Sequence, residues 1–127
     1  MLKTDFKFGH DRRLLKPADY QWVFNSPQAK AHNQYAMVLA RTKNLSKARL
    51  GLIIAKKHVR LATQRNRIKR LTRESFRCEG PQTPVDCVFL CKAGIAELSN
   101  DDVTAVLQSL WARVDERLGA RDAIAKP

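Results

Sequence analysis

Residues 50–91 read LGLIIAKKHVRLATQRNRIKRLTRESFRCEGPQTPVDCVFLC. An apolar hexapeptide, Leu50–Ala55, opens the stretch, and a second apolar run, Val85–Cys91, closes it. Both have the length and side-chain types of strands. Between them apolar residues recur at helical spacing, and Gly80-Pro81 and Pro84 break the chain before it returns. Strand, helix and strand at this separation predict a parallel crossover unit. Leu50–Ala55 is apolar on both faces, the pattern expected of a central, covered strand.

The helix of this unit carries most of the positive charge. Lys56–Arg77 holds nine Lys/Arg against one acid, Glu74. Projected at about 100° per residue, Ile68, Leu71, Ser75 and Phe76 share the side expected to pack on the sheet. Asn66, Lys69, Arg70, Arg73 and Arg77 cluster on the other side, with Arg65 and Arg67 at its two edges. Lys56, Lys57 and Arg60 fall at or before the helix N-terminus, where cations oppose the helix dipole. They suit that place when an anion sits there, opposite free backbone N–H groups. Arginine suits phosphate because its planar fork donates two parallel hydrogen bonds and stays charged at any working pH. Asn66 adds a donor and an acceptor for a base edge or a ribose hydroxyl. A merely solvated helix would mix signs at i, i+4, and here Glu74 alone could do so. The pattern implies a polyanionic partner, with RNA or DNA the first candidate.

Working outward, Pro17 suits the first position of a short helix, with Asp19 in its first turn and Asn25-Ser26-Pro27 as its stop. Tyr20, Val23 and Phe24 share one of its faces. Tyr35–Ala40 predicts a strand, and the short polar link to Leu50 predicts that these two strands pair antiparallel. Ser99, with Asp102 three residues on, opens a last helix at a capping-box spacing. Its residues Val103, Val106, Leu107, Leu110, Trp111, Val114 and Leu118 form a core-facing stripe, and Gly119 is its expected end. The order α-β-β-α-β-α predicts an α+β fold, a two-layer α/β sandwich on a small mixed sheet. A single domain over residues 1–127 is expected, with flexible ends at 1–11 and 119–127.

The net charge of +12 is concentrated in the centre of the chain: residues 1–40 sum to +3, 41–77 to +12 and 78–127 to −3. Three cysteines without a secretory signal predict reduced thiols and a cytoplasmic location. No run approaches the ~20 apolar residues of a membrane helix. Cys87 and Cys91 lack zinc spacing, no Ser/His/Asp triad or glycine-rich phosphate loop is present, and the carboxylates are scattered where a two-metal nuclease needs them to converge. Asp101-Asp102 is accounted for by helix capping. No catalytic residue, metal ligand or organic cofactor is therefore assigned to this chain, and no obligate protein partner is evident. A stand-alone nuclease fits poorly. A non-catalytic RNA-binding protein of ribosomal-protein type fits the charge and helix layout.

Arg65-Asn66-Arg67-Ile68-Lys69-Arg70, set between Lys56-Lys57 and Arg73-Glu74-Ser75-Phe76-Arg77, resembles the signature of the bacterial ribonuclease P protein subunit. Arg13-Leu14-Leu15, Asp19-Tyr20, Val23-Phe24, Arg49-Leu50-Gly51-Leu52 and Val85 through Lys92 extend the likeness over roughly residues 12–118. A bare RNR triplet would be weak; this spacing is specific. The resemblance implies a protein that binds a large catalytic RNA and the 5′ leader of precursor tRNA, with the active site and most of the Mg²⁺ held by RNA. It implies that Arg65, Asn66, Arg67, Lys69, Arg70 and Arg73 face RNA. It also implies that Tyr20 and Phe24 face a leader cleft between the first helix and the sheet. Tyr20 departs from the family's usual Phe. Val38 stands where some relatives carry a cleft-facing aromatic, which leaves Tyr35 as the expected substitute. A left-handed crossover is implied as well, against the right-handed base rate.

Overall fold

A computed structural model describes residues 13–14, 16–42, 47–81 and 84–125, with side chains up to Gly119. Of the two ends expected to be flexible, residues 1–11 and 126–127 lie outside the described residues. The elements are α1 (Pro17–Asn25), β1 (Ala29–His32), β2 (Ala36–Thr42), β3 (Arg49–Ile53), α2 (Ala62–Glu79), β4 (Val85–Cys91), a 3-10 turn (Ile95–Glu97) and α3 (Asn100–Ala125). The four strands form one mixed sheet in the order β1-β2-β4-β3. β1–β2 and β2–β4 are antiparallel, and β3–β4 is parallel, as the strand-helix-strand reading requires.

Two expectations about the sheet are overturned. β2 and β3 do not pair, because β4 lies between them with Val38 opposite Phe89 and Leu52 opposite Phe89 on its two sides. β4 is thus the central strand, and its side chains are buried almost throughout. β3 is an edge strand. It reads as central because both its faces are covered, one by α2 and the other by Tyr20. Its open edge is closed by backbone pairing of Arg13 with Leu50, by the Leu14 N–H donating to the Leu50 carbonyl at 3.0 Å, and by the Leu52 N–H donating to the Tyr20 hydroxyl at 3.2 Å. Such cover blunts an edge that would otherwise invite a foreign strand. β1, which the sequence did not announce, is four residues long and buries only Ala29 and Ala31.

The period-2 alternation of the strands sorts their side chains onto two faces. Ala36, Val38, Ala40, Leu50, Cys87 and Phe89 face α2 and α3, where Ile68, Phe76, Leu107, Leu110 and Trp111 complete the main core. Phe76 meets Trp111 edge to face, ring centroids 5.4 Å apart, and the Trp111 indole N–H donates to Ser75 Oγ at 2.8 Å. This bond lets a buried indole and hydroxyl satisfy each other between α2 and α3. Cys87 and Cys91 are free, buried thiols, and burial pushes both upward. On the other face, Leu14, Val23, Leu39 and Val88 form a smaller core under α1.

α1 is fixed at both ends. Arg49 donates to both carboxylate oxygens of the buried Asp86, Nε at 2.8 Å and Nη2 at 2.6 Å, and lies 3.8 Å from Asp19 in the first turn of α1. Arg41 stacks over the Trp22 ring, 4.0 Å from its centroid, and donates to the Trp22 carbonyl at 2.8 Å. α3 starts as its sequence predicts, with Ser99 Oγ accepting the Asp102 N–H at 3.1 Å. It then passes through Gly119 to Ala125. Gly119 faces open space without a positive φ. There it costs about 1 kcal/mol against alanine, too little to end so long a helix.

Candidate nucleic-acid interface

α2 presents its cations in three groups, set by what each touches. Lys56, Lys57 and Arg60 are exposed in the turn before the helix. That turn is anchored from below. The His58 and Val59 N–H groups donate to the Ala55 carbonyl, Val59 is buried in the core, and Arg65 donates back to the carbonyls of Val59 and Arg60 at 3.0 and 2.8 Å. The N-terminus of α2 has no side-chain cap and no acid in its first turn, so its first N–H groups remain available to an anion. A groove of about 610 Å³ lies beside it, lined by His58, Arg60, Leu61, Gln64 and Glu97. Leu61 is the exposed large apolar side chain among the described residues, at 64 %.

Arg70 forms the second group, exposed beside the neutral Asn66 on the outer face of the helix, with Arg77 half-buried in the last turn. Lys69 and Arg73 form the third. They line a pocket at the outer edge of β3 with Arg13 and Tyr20.

Arg67 belongs to none of these groups. Its guanidinium donates to Asn100 Oδ1 at 2.7 Å, to Gln64 Oε1 at 3.0 Å, to the Ala96 carbonyl at 3.2 Å and to the Leu98 carbonyl. It therefore ties α2 to the 3-10 turn and to the start of α3. Arg65 and Arg67 were expected to face the partner, and both direct their N–H groups at this protein's own carbonyls and amides. The helical projection put them at the edges of the basic face, which is where neighbouring segments reach a helix.

On the far side of the sheet, Tyr20, Phe24, Met37, Ile53 and Leu90 are half-buried around the small core. They form an apolar floor beside α1 that α1 does not fully cover. Tyr20 lies against Gly51 so closely that a Cβ there would come within 2.6 Å of its ring. Two expected cleft residues lie elsewhere. Val38 is fully buried against α2 and α3, because even-numbered β2 residues face that side and Met37 takes the cleft side. Tyr35 precedes the strand and packs on the α3 side, its ring within 3.7 Å of a Cβ built on Gly94. Gly94 has φ +95, a left-handed conformation that glycine adopts without strain. Met37, Ile53 and Leu90 were missed, although strand alternation could have given them. Arg13 was missed because nothing local shows a terminal segment pairing with Leu50.

A family model described as ribonuclease P matches residues 8–115. The chain belongs to the ribonuclease P protein family. The chain is 45 % identical over 114 residues to the ribonuclease P protein component of Pseudoalteromonas translucida, covering 89 % of this chain and 81 % of that protein. It is 44 % identical over 110 residues to that of Marinobacter nauticus, covering 87 % and 83 %. The solved RNase P protein of Thermotoga maritima superposes with a TM-score of 0.71 at 28 % identity, covering 80 % of this chain and 96 % of that one. The protein from Staphylococcus aureus superposes at 0.73 and 23 % identity, covering 81 % and 96 %, a likeness of fold. Three helices and a four-stranded mixed sheet are thus common to this ribonuclease P protein and its relatives. Among the described residues no three His, Cys, Asp or Glu side chains gather as metal ligands. No described helix is long and apolar enough to cross a membrane.

Proposed function

We propose that this chain is the protein subunit of a ribonuclease P ribonucleoprotein, acting in the cytoplasm. In this reading it binds a catalytic RNA and the 5′ leader of precursor tRNA and promotes endonucleolytic removal of the leader. The observation that carries the reading is the pairing of two unlike surfaces on one small fold, in a chain of this family. One is the cationic face of α2, which suits the backbone of a folded RNA. The other is the half-open apolar floor beside α1, which suits unpaired bases.

Each surface has its own chemistry. Lys56, Lys57, Arg60, Asn66 and Arg70 are exposed donors with fixed backbone positions, so they meet phosphates without an ordering cost for the loop. Arg65 and Arg67 support them by holding the turn and the helix in place. Phe24, with Met37, Ile53 and Leu90 around the same small core, offers a ring and polarizable apolar surface to leader bases. Stacking tolerates any base and contributes roughly 1–3 kcal/mol per base, which suits a subunit that meets many leaders. Tyr20 sits between the surfaces, its ring on Gly51 and its hydroxyl at the β3 edge. In this reading Mg²⁺ is held by the RNA subunit and the substrate, and the bond-breaking chemistry belongs there.

The test is the affinity of the reconstituted complex for precursor tRNA and for leaderless mature tRNA. Phe24→Ala is expected to weaken the precursor about tenfold, in line with one lost stack, and to leave mature tRNA within twofold. Equal losses for both would make Phe24 a packing residue and remove the leader-binding role from this surface.

A further inference from the structure

The groove beside the start of α2 has a volume of about 610 Å³, within the range of small-molecule sites, roughly 300–1,000 Å³. One wall carries His58, Arg60 and Leu61 of the turn and Gln64 of the first helical turn; the other carries Glu97 of the 3-10 turn. Arg67 ties the walls together, donating to Gln64 Oε1 at 3.0 Å and to the Ala96 carbonyl at 3.2 Å. Because the Gln64 oxygen accepts from Arg67, its Nε2 is the end left to donate. Glu97 is exposed and makes no ion pair among the described residues. Its carboxylate lies in the groove beside Arg60, a few residues from Lys56 and Lys57, where it would repel a phosphate. A ligand group that donates hydrogen bonds suits it instead. Leu61, 64 % exposed, adds apolar surface that an inorganic anion cannot use and the flat face of a base can. The half-buried His58 ring adds a second surface of the kind on which unpaired bases stack.

We propose that this groove takes one unpaired guanine base of the RNA subunit and reads its Watson–Crick edge with Glu97 and Gln64. The choice of base follows from the two polar groups. A carboxylate offers two acceptors side by side, and guanine presents two adjacent donors, N1–H and the 2-amino group. The neighbouring O6 is an acceptor and matches the Gln64 amide. Adenine and cytosine each place a single amino donor beside a ring acceptor, and uracil has one N–H between two carbonyls, so none of them satisfies both side chains. Leu61 and His58 cover the faces of the ring, while Lys56, Lys57 and Arg60 hold the phosphates on either side of it. Phosphate contacts fix position and base contacts select, so the groove gives a largely sequence-blind cationic face one point of sequence choice. The inference rests on the proposed function, which supplies the RNA. The RNA subunit is the source because the groove opens beside the cationic turn, whereas the leader floor lies on the far side of the sheet.

Fluorescence anisotropy of the full chain with short oligouridines carrying one central guanosine, adenosine or inosine, at fixed ionic strength, tests the seat. The guanosine RNA is expected to bind about tenfold tighter than the adenosine RNA, in line with one bidentate base contact. Inosine, which lacks the 2-amino group, should fall between them. Glu97→Gln should reduce the preference to within twofold. The same change should leave plain oligouridine binding equal or tighter, because a charge that repels phosphate is gone, and a purely electrostatic role for Glu97 would not move the preference. Gln64→Glu keeps an acceptor for Arg67, removes the donor to O6 and should also narrow the preference, so it serves if the first variant fails to fold. Asp101→Asn removes an acid outside the groove and should preserve it. Oligouridine binding with no guanosine preference, or a preference that survives Glu97→Gln, would overturn the seat and leave the proposed function standing. Failure of every oligonucleotide to bind would count against both. A second arm identifies the source: Glu97→Gln should weaken binding of the RNA subunit about tenfold with no tRNA present. If that affinity holds and only precursor tRNA binds more weakly to the assembled complex, the base belongs to the leader and the assignment to the RNA subunit is wrong.

Discussion

Arg67 and Arg70 lie three residues apart on one helix, and the structure gives them opposite roles. Arg67 spends its guanidinium on Asn100, Gln64 and two carbonyls of the 3-10 turn region, whereas Arg70 is exposed on the outer face. Arg67→Ala should therefore lower stability by about 2 kcal/mol, a fraction of the sum of its hydrogen bonds because solvent screens them and they share one side chain. Arg70→Ala should stay within about 0.5 kcal/mol and lose RNA affinity instead. Urea denaturation of the free protein separates the two, and equal destabilisation would remove the distinction. Residue type and spacing mark α2 as the cationic face on which the proposed function rests. They do not show which of its arginines are occupied, because Asn100 and the Ala96 and Leu98 carbonyls lie about thirty residues away. Tyr20 has the same limit: its place on one face with Phe24 is legible, but its contacts with Gly51 and Leu52 depend on β3 arriving beneath it.

At the scale of elements, α1, α2, β4 and the start of α3 follow directly from sequence, each from a strong local signal such as Pro17, the α2 apolar stripe, VDCVFLC or the Ser99 cap. The neighbours of each strand do not. Leu50–Ala55 carries the apolar content of a central strand, yet its outer edge is closed by Leu14 and Tyr20, which no local pattern announces. β1 has only two alanines to bury and is ordered by its register with β2. The β3–β4 pair also carries an ionic clamp, since Arg49 lies directly opposite Asp86 and bonds it bidentately. Asp86 is fully buried, so Asp86→Ala would leave Arg49 half-buried with its main partner gone. The expected loss is about 3 kcal/mol, measured by urea denaturation. A loss under 1 kcal/mol would show that Asp19 alone, 3.8 Å away, can hold Arg49.

For the whole molecule, most of the positive charge of residues 41–77 lies on α2 and the preceding turn, while residues 78–127 are net negative. A field built this way draws a polyanion to one side of the fold. With roughly six phosphates neutralised, affinity for the RNA subunit should fall about 10³-fold between 50 and 200 mM salt. A change smaller than threefold would mean that the cationic face is not the binding surface. The floor beside α1 is made of apolar side chains, so leader binding there, as proposed, should depend less on salt. In the proposed function one partner lies along α2 and another beside α1, with Tyr20 and the β3 edge between them. The most direct measurement is cleavage of a 5′-labelled precursor tRNA at low Mg²⁺ by the protein alone, a ribonuclease P RNA alone, and both together. The account predicts efficient cleavage at the mature 5′ end only by the combination, reduced when Arg70 and Arg60 are both replaced by alanine. Cleavage by the protein alone, or binding of the RNA with no gain in cleavage, would contradict it.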